Sequence, residues 1–309
     1  MMPQFSPATV EAMARAAFPR CRVLHSEPLA EGRRNANFKL CLDEPAVAVV
    51  LRVYLHEASL CPKEIDLLRL LRGSVPVPEV LYAETRALEG RPPFAVLRYV
   101  EGLTFLTLKR TGDRAAIAQA ARSVGETLAS IGEVRFSKPG WIEPGPSVGA
   151  PLLEGADPYP RFIEQCLARA TSVPADLRHR ITALAWSHAS DYAAIERDPR
   201  LVHGDFSRRN LVVHPVGGTW QVAAVIDWEF AVSSSPLADI GNFLRYDSAA
   251  GRLAEPHFSA GYRHGGGILP DDWRRLAQLF DLAAICESLT RPHLPDAAGR
   301  ELLAMLAAF

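Results

Sequence analysis

The chain has 309 residues, 48% hydrophobic and 22% charged, with a formal net charge of −1. That balance excludes a disordered chain. A near-zero charge, balanced in both residues 1–102 and the remainder, gives no electrostatic reason to expect nucleic acid or an anionic membrane as partner. No uninterrupted apolar run is long enough for a membrane span, and MMPQFSPATVEAMARAAF has no basic flank followed by an apolar core. The five cysteines (Cys21, Cys41, Cys61, Cys166 and Cys286) are scattered, without a CxxC pair. They fit a reducing cytoplasm, with the thiols as small core residues.

In chain order, Ser6–Phe18 has a capping serine and Val10, Met13, Ala14 and Ala17 at helical spacing. LHSEPLAEGRRNANFKLCL then predicts strand, glycine-containing turn and strand. VAVVLRVYL alternates, with Val49, Leu51 and Val53 on one face and Val50, Arg52 and Tyr54 on the other. PKEIDLLRLLR predicts a short helix, and VPVPEVLYAE and PFAVLRYV two further strands. After Glu101-Gly102 the character turns helical. Ile117, Ala121, Val124, Leu128 and Ile131 form one stripe. Residues 138–160, rich in Pro and Gly, predict a long loop, and 174–196 one long amphipathic helix. LADIGNFLRY, DDWRRLAQLFDLAAICESL and the C-terminal tail complete the helical part.

The expectation is therefore an α+β chain of two lobes. Residues 1–102 form a small β-rich lobe, and 103–309 a larger, mainly helical lobe carrying one β-hairpin. The hairpin is LVVHP and QVAAVI, joined at Val216-Gly217-Gly218. The stretch that leads into it, LVHGDFSRRNLVV at 201–213, interrupts an apolar run with His203, Asp205, Arg208, Arg209 and Asn210. Antiparallel pairing brings Asn210, before the first strand, beside Asp227, after the second. Carboxylates and an amide gathered at one hairpin end repel unless a cation or proton intervenes. Mg²⁺ shared with phosphate oxygens meets that need, since it takes few protein oxygens. A remaining carboxylate can accept a proton from a hydroxyl. The competing reading is a polar turn, with Asp205 as a cap and Asn210 in a left-handed conformation.

HGDFSRRN at 203–210 and IDWE at 226–229 resemble the catalytic loop and metal-binding segment of the aminoglycoside-phosphotransferase-like small-molecule kinases, which share the bilobal protein-kinase-like fold. The resemblance continues in SPLADIGNFLR at 235–245. In the first lobe, GRRNANF at 32–38 is similar to the phosphate-covering loop, and KEIDLLRLL followed by VPVPEVL to the helix-then-strand signature.

The resemblance implies roles for individual residues. Asp205 is the catalytic aspartate, which orients and deprotonates the acceptor hydroxyl. Asn210 and Asp227 are the Mg²⁺ ligands. Gly32 and Asn35 lie on the phosphate-covering loop. Arg52 stands where protein kinases place a phosphate-contacting lysine; arginine keeps the charge and can grip phosphate with two nitrogens. Glu64 is the helix carboxylate that pairs with it. Arg98 and Val100 are hinge positions whose backbone binds adenine. His203 holds the loop, Trp228 packs beside the metal aspartate, and Asp239 either bonds the catalytic loop or caps its helix. Arg208 and Arg209 are either solvated, paired with acidic neighbours, or directed at the γ-phosphate.

The expected activity is ATP- or GTP- and Mg²⁺-dependent transfer of the γ-phosphate to a hydroxyl of a small molecule. The acceptor is an aminoglycoside or another antibiotic, or alternatively a metabolite such as choline, homoserine or thiamine. A non-catalytic nucleotide-binding regulator on the same fold is the reading from a different class. The partners are the nucleotide and the acceptor, with the chain a monomer or homodimer.

Overall fold

The computed structural model describes residues 5–29, 35–88, 90–195, 197–247 and 251–309. Gly32 lies outside the described residues. The chain divides into two compact units. The first comprises 1–120, 142–147 and 208–230; the second comprises 121–141, 148–207 and 231–309.

In the first unit, helix α1 (Pro7–Ala17) begins where the Ser6 hydroxyl accepts the Thr9 N–H at 3.1 Å, a side-chain cap on an orphan donor. Strands β1 (Val23–Pro28), β2 (Ala36–Leu42), β3 (Ala48–Val53), β4 (Val80–Glu84) and β5 (Phe94–Arg98) make one antiparallel sheet in the order β1-β2-β3-β5-β4. Leu40, Val49, Leu51 and Val53 on this sheet bury against Val10, Met13 and Ala14 of α1. Strand β3 is central, so its second face is covered too: Arg52 is 6% exposed and Tyr54 1%. Helix α2 (Leu60–Leu71) buries Ile65, Leu67, Leu68 and Leu71, and also Lys63 and Glu64.

Beyond the sheet, β6 (Leu103–Thr104) leads into helix α3 (Phe105–Thr111), where the Thr104 hydroxyl caps the Thr107 N–H at 3.1 Å. β6 pairs with β10 (Leu211–Val216), which pairs with β11 (Thr219–Val225) as the expected hairpin. The boundary expected at Gly102 thus falls inside the first unit, because β6 is hydrogen-bonded to the hairpin. A Cβ on Gly102 would stand 2.5 Å from the Val213 carbonyl oxygen, and its φ of +150° is one that glycine adopts freely.

Helix α4 (Arg114–Ile131) buries the predicted stripe. The stretch 138–160 is not all loop. It holds two short strands, β7 (Gly140–Glu143) and β8 (Ser147–Val148), and then the start of helix α5 (Pro158–Arg169). The predicted helix over 174–196 is two helices, α6 (Ala175–Ser187) and α7 (Ala189–Ile195), broken at His188. His188 Nδ1 lies 2.7 Å from Asp191 Oδ2, a local side-chain contact at the break that helical periodicity cannot register.

In the second unit, β9 (Arg200–Val202) pairs with β12 (Val232–Ser234), which pairs in turn with the start of β7. Helices α8 (Leu237–Leu244), α9 (Glu255–His264), α10 (Trp273–Ser288) and α11 (Asp296–Ala307) complete it. Tyr159 and Tyr192 stack at 5.0 Å, and Phe280 meets both edge-on. No helix among the described residues is long and apolar enough to cross a membrane.

Candidate active site

Two groups of residues carry the candidate chemistry, one in each unit. The first is built on the hairpin and β3. Leu211 lies opposite Val225, and the Ile226 N–H donates to the Asn210 carbonyl at 3.0 Å. The ladder therefore runs one step past the strands and delivers Asp227 next to that end, as the spacing predicts. Asp227 has a φ of +71°, a left-handed conformation that a side chain rarely adopts. Such strain concentrates where surrounding contacts fix a functional group.

Those contacts centre on Arg52. Its Nη2 donates to Asp227 Oδ1 at 2.5 Å and to Glu229 Oε2 at 3.3 Å, and its Nε lies 2.8 Å from Glu64 Oε2. Glu64 is held from two further sides. The Tyr54 hydroxyl donates to its Oε2 at 2.7 Å, and the Trp228 N–H donates to its Oε1 at 3.2 Å. Asn35 Nδ2 donates to Glu229 Oε2 at 2.5 Å, and Lys63 Nζ donates to the Glu229 carbonyl at 2.9 Å. Trp228 is fully buried, its indole N–H donating to the Val225 carbonyl at 3.0 Å.

Three carboxylates thus share this region with two cations, Arg52 and Lys63. Burial alone would lower the Arg52 pKa; Glu64 and Asp227 outweigh it and hold the guanidinium well above its usual range. Burial raises Glu64 against the pull of Arg52, and raises Glu229 with Asp227 adding to the rise. Burial lowers the Lys63 ammonium to about 8. The cluster is one positive charge short, and the raised carboxylates register that deficit.

A hard divalent cation fits this donor set. Asn210 offers an amide oxygen and Asp227 a carboxylate at one hairpin end. Among the described residues no group of three or more His, Cys, Asp or Glu side chains could hold a metal unaided. Mg²⁺ does not require one, because water and phosphate complete its shell.

The second group is the segment after β9. Asp239, 1% exposed, accepts the His203 N–H at 2.6 Å on one oxygen and the Gly204 N–H at 3.1 Å on the other. His203 is fully buried, and its Nδ1 accepts the Asp205 N–H at 3.2 Å. The Asp205 carbonyl accepts the Ser207 N–H at 2.7 Å. These bonds fix the backbone on both sides of Asp205 while its side chain stays half-exposed. Burial raises the Asp239 carboxyl to about 7 despite its two backbone donors.

The remaining expected positions are placed as follows. Arg98 ends β5 with its side chain exposed, donating to Glu79 Oε2 at 2.8 Å, and Val100 is half-buried just beyond. Arg208 is buried, and its carbonyl accepts the Leu106 N–H at 2.9 Å; Arg209 is exposed. A solvated Arg208 is therefore ruled out by its burial. Sequence reasoning assigned no role to Glu229, Lys63 or Tyr54. Glu229 had a usable signal, a second carboxylate two residues after Asp227. Lys63 and Tyr54 had none, since their importance arises from burial beside Glu229 and Glu64.

Solved structures of this architecture align along nearly the whole chain. The GDP complex of wild-type aminoglycoside 2'-phosphotransferase-IIIa is 18% identical, covers 98% of both chains and has a TM-score of 0.66. The aminoglycoside phosphotransferase APH(4)-Ia is 20% identical, with 98% of this chain and 99% of that chain covered and a TM-score of 0.66. A thermostable mutant of it, in ternary complex with ADP and hygromycin B, is 19% identical over 97% of both chains, with a TM-score of 0.64. These likenesses establish the kinase-like fold. Among curated proteins, acyl-CoA dehydrogenase family member 11 of Gallus gallus is 27% identical over 181 residues. That match covers 55% of this chain and only 21% of the length of that protein. The model of the phosphotransferase enzyme family (APH) matches residues 25–279, and the chain belongs to that family.

Proposed function

We propose that the protein transfers the γ-phosphate of ATP or GTP to a hydroxyl of a small molecule, with Mg²⁺ required. The observation that carries this reading is the buried set of contacts from Arg52 to Glu64 and Asp227. It joins a phosphate-gripping arginine, the helix carboxylate that orients it and a metal-ligand carboxylate.

In this reading Arg52 binds and orients phosphate oxygens, and Glu64 with Tyr54 keeps the guanidinium extended. Asn35 lies at the end of the phosphate-covering segment. The backbone at Arg98 and Val100 binds the base. Asn210 and Asp227 hold the metal ion, which supplies charge neutralisation to the phosphates when bound. Asp205 accepts the proton of the acceptor hydroxyl. The hydroxyl oxygen forms the new bond to phosphorus, the bond to the bridging oxygen breaks, and the nucleoside diphosphate leaves. Because such transition states are loose, orientation by Asp205 matters more than basicity. Arg209, exposed on the same loop, adds positive charge near it.

The fold neighbours bind GDP, or ADP with hygromycin B, which supports a nucleotide and makes aminoglycosides the first acceptors to test. The absence of an acidic excess in residues 103–309 favours including less cationic acceptors such as choline, homoserine and thiamine. An ADP- and GDP-release assay across both groups tests the reading. Transfer to one acceptor that is abolished in Asp205→Ala, with nucleotide binding retained, is expected. Unchanged turnover in that variant overturns the mechanism. No release with any acceptor favours a nucleotide-binding regulator.

A further inference from the structure

The second unit contains a cavity of about 350 Å³ that the proposed chemistry does not use. Its walls are the start of β9, the segment Ser235–Leu237 with Ile240, the end of α7, and the α9–α10 region. Ile195, Leu237, Ile240 and Leu276 make it largely apolar, and Ile268, 81% exposed, marks its mouth. That volume suits a compact molecule of roughly ten to fifteen heavy atoms.

The polar groups are few and specific. Tyr262 is 4% exposed and lines the cavity, yet its hydroxyl has no hydrogen-bond partner among the described residues. Buried phenols ordinarily find one. The ring is clamped. It stacks on Phe258 at 6.2 Å, and a Cβ on Gly267 would overlap it at 2.3 Å. It therefore cannot turn away to seek a partner. The phenol interacts electrostatically with Arg200 and Asp198, which also line the cavity. Asp198 is bonded by both Arg200, at 2.7 Å, and Arg135, at 2.8 Å. Two guanidiniums against one carboxylate leave a positive balance at this end.

We infer that this cavity binds a small apolar monocarboxylate, its carboxylate accepting from the Tyr262 hydroxyl at the Arg200 end. The site is tied to the loop that carries Asp205. Arg200 begins the strand that ends at Val202, and Ile240 is adjacent in sequence to Asp239, which grips His203 and Gly204. A row of rings runs from Tyr262 through Phe258 and Phe243 to Phe206, at centroid distances of 6.2, 5.1 and 6.3 Å. Occupancy is expected to shift the loop by this route.

Hydrocinnamate is the probe and hydrocinnamyl alcohol its neutral counterpart, titrated into the full chain with labelled Ile and Leu methyls and backbone amides. Binding should move the methyls of Ile195, Ile240 and Leu276, with the alcohol weaker. Tyr262→Phe keeps the ring stack and removes only the hydroxyl. It should weaken hydrocinnamate about five- to tenfold, the worth of one hydrogen bond, without changing thermal stability. No methyl shift, or equal binding of acid and alcohol, or an unchanged affinity in Tyr262→Phe, overturns the site. Methyl shifts without movement of the Gly204 and Asp205 amides overturn the link to the loop. None of these readings depends on phosphoryl transfer.

Discussion

Arg52 and Asp227 lie 175 residues apart in sequence and meet at 2.5 Å between Nη2 and Oδ1. The contact joins the central strand of the sheet to the end of the hairpin. It places the guanidinium where it answers three carboxylates at once, and removing it should be costly in two ways.

Arg52→Met leaves Glu64, Asp227 and Glu229 without their main counter-charge. Breaking a buried pair from one side costs about 3–5 kcal/mol, so the midpoint in urea should fall markedly. Arg52→Lys keeps the charge but loses the fork that reaches Glu64 and Asp227 together. It should retain much of the fold and raise the nucleotide KM by about tenfold or more. Denaturation and initial-rate measurements separate the two effects.

Asp205→Asn should lower kcat by about 10²–10⁴-fold, the usual worth of a positioned base. Its backbone bonds to His203 and Ser207 do not involve the carboxylate, so stability and nucleotide affinity should stay close to those of the parent. Nucleotide titration beside single-turnover kinetics checks this.

Asp239 gives stability a specific pH dependence. Its carboxyl is raised by burial from 3.8 to about 7, so the folded state favours the protonated form. The contribution is fully present below about pH 4 and is lost as pH rises towards and through about 7. Between about pH 5 and pH 8 the loss from this group is about 2–3 kcal/mol. Asp239→Asn should lower stability at low pH and lack this component of the pH slope. Urea unfolding of both proteins across that window gives the comparison.

Gly102→Ala should destabilise by about 1–3 kcal/mol through strain at a positive φ together with the close approach. The new methyl would sit 2.5 Å from the Val213 oxygen and 2.8 Å from Val212 Cγ1, so β6 must move off the hairpin. Slowed exchange at the paired β6 and β10 amides in the parent, lost in the variant, reports that separation.

The family and the candidate residues were legible in the sequence because the relevant spacing is local. HGDFSRRN fixes Asp205 and Asn210 five residues apart on one loop, and the Val216-Gly217-Gly218 turn brings Ile226 to Asn210 by strand pairing alone. Alternation in VAVVLRVYL likewise located the strand bearing Arg52. Periodicity failed where side chains intervene locally, as at the helix break at His188. Tertiary structure alone decided that β3 is central, which turns Arg52 from a candidate surface arginine into the buried counter-ion of three carboxylates. It also recruited Glu229, Lys63 and Tyr54, and left the Tyr262 hydroxyl unpartnered against a cavity. Local pattern encodes which way a side chain points; the neighbours that meet it across long sequence separations, and hence its burial and charge, exist only once the elements have packed.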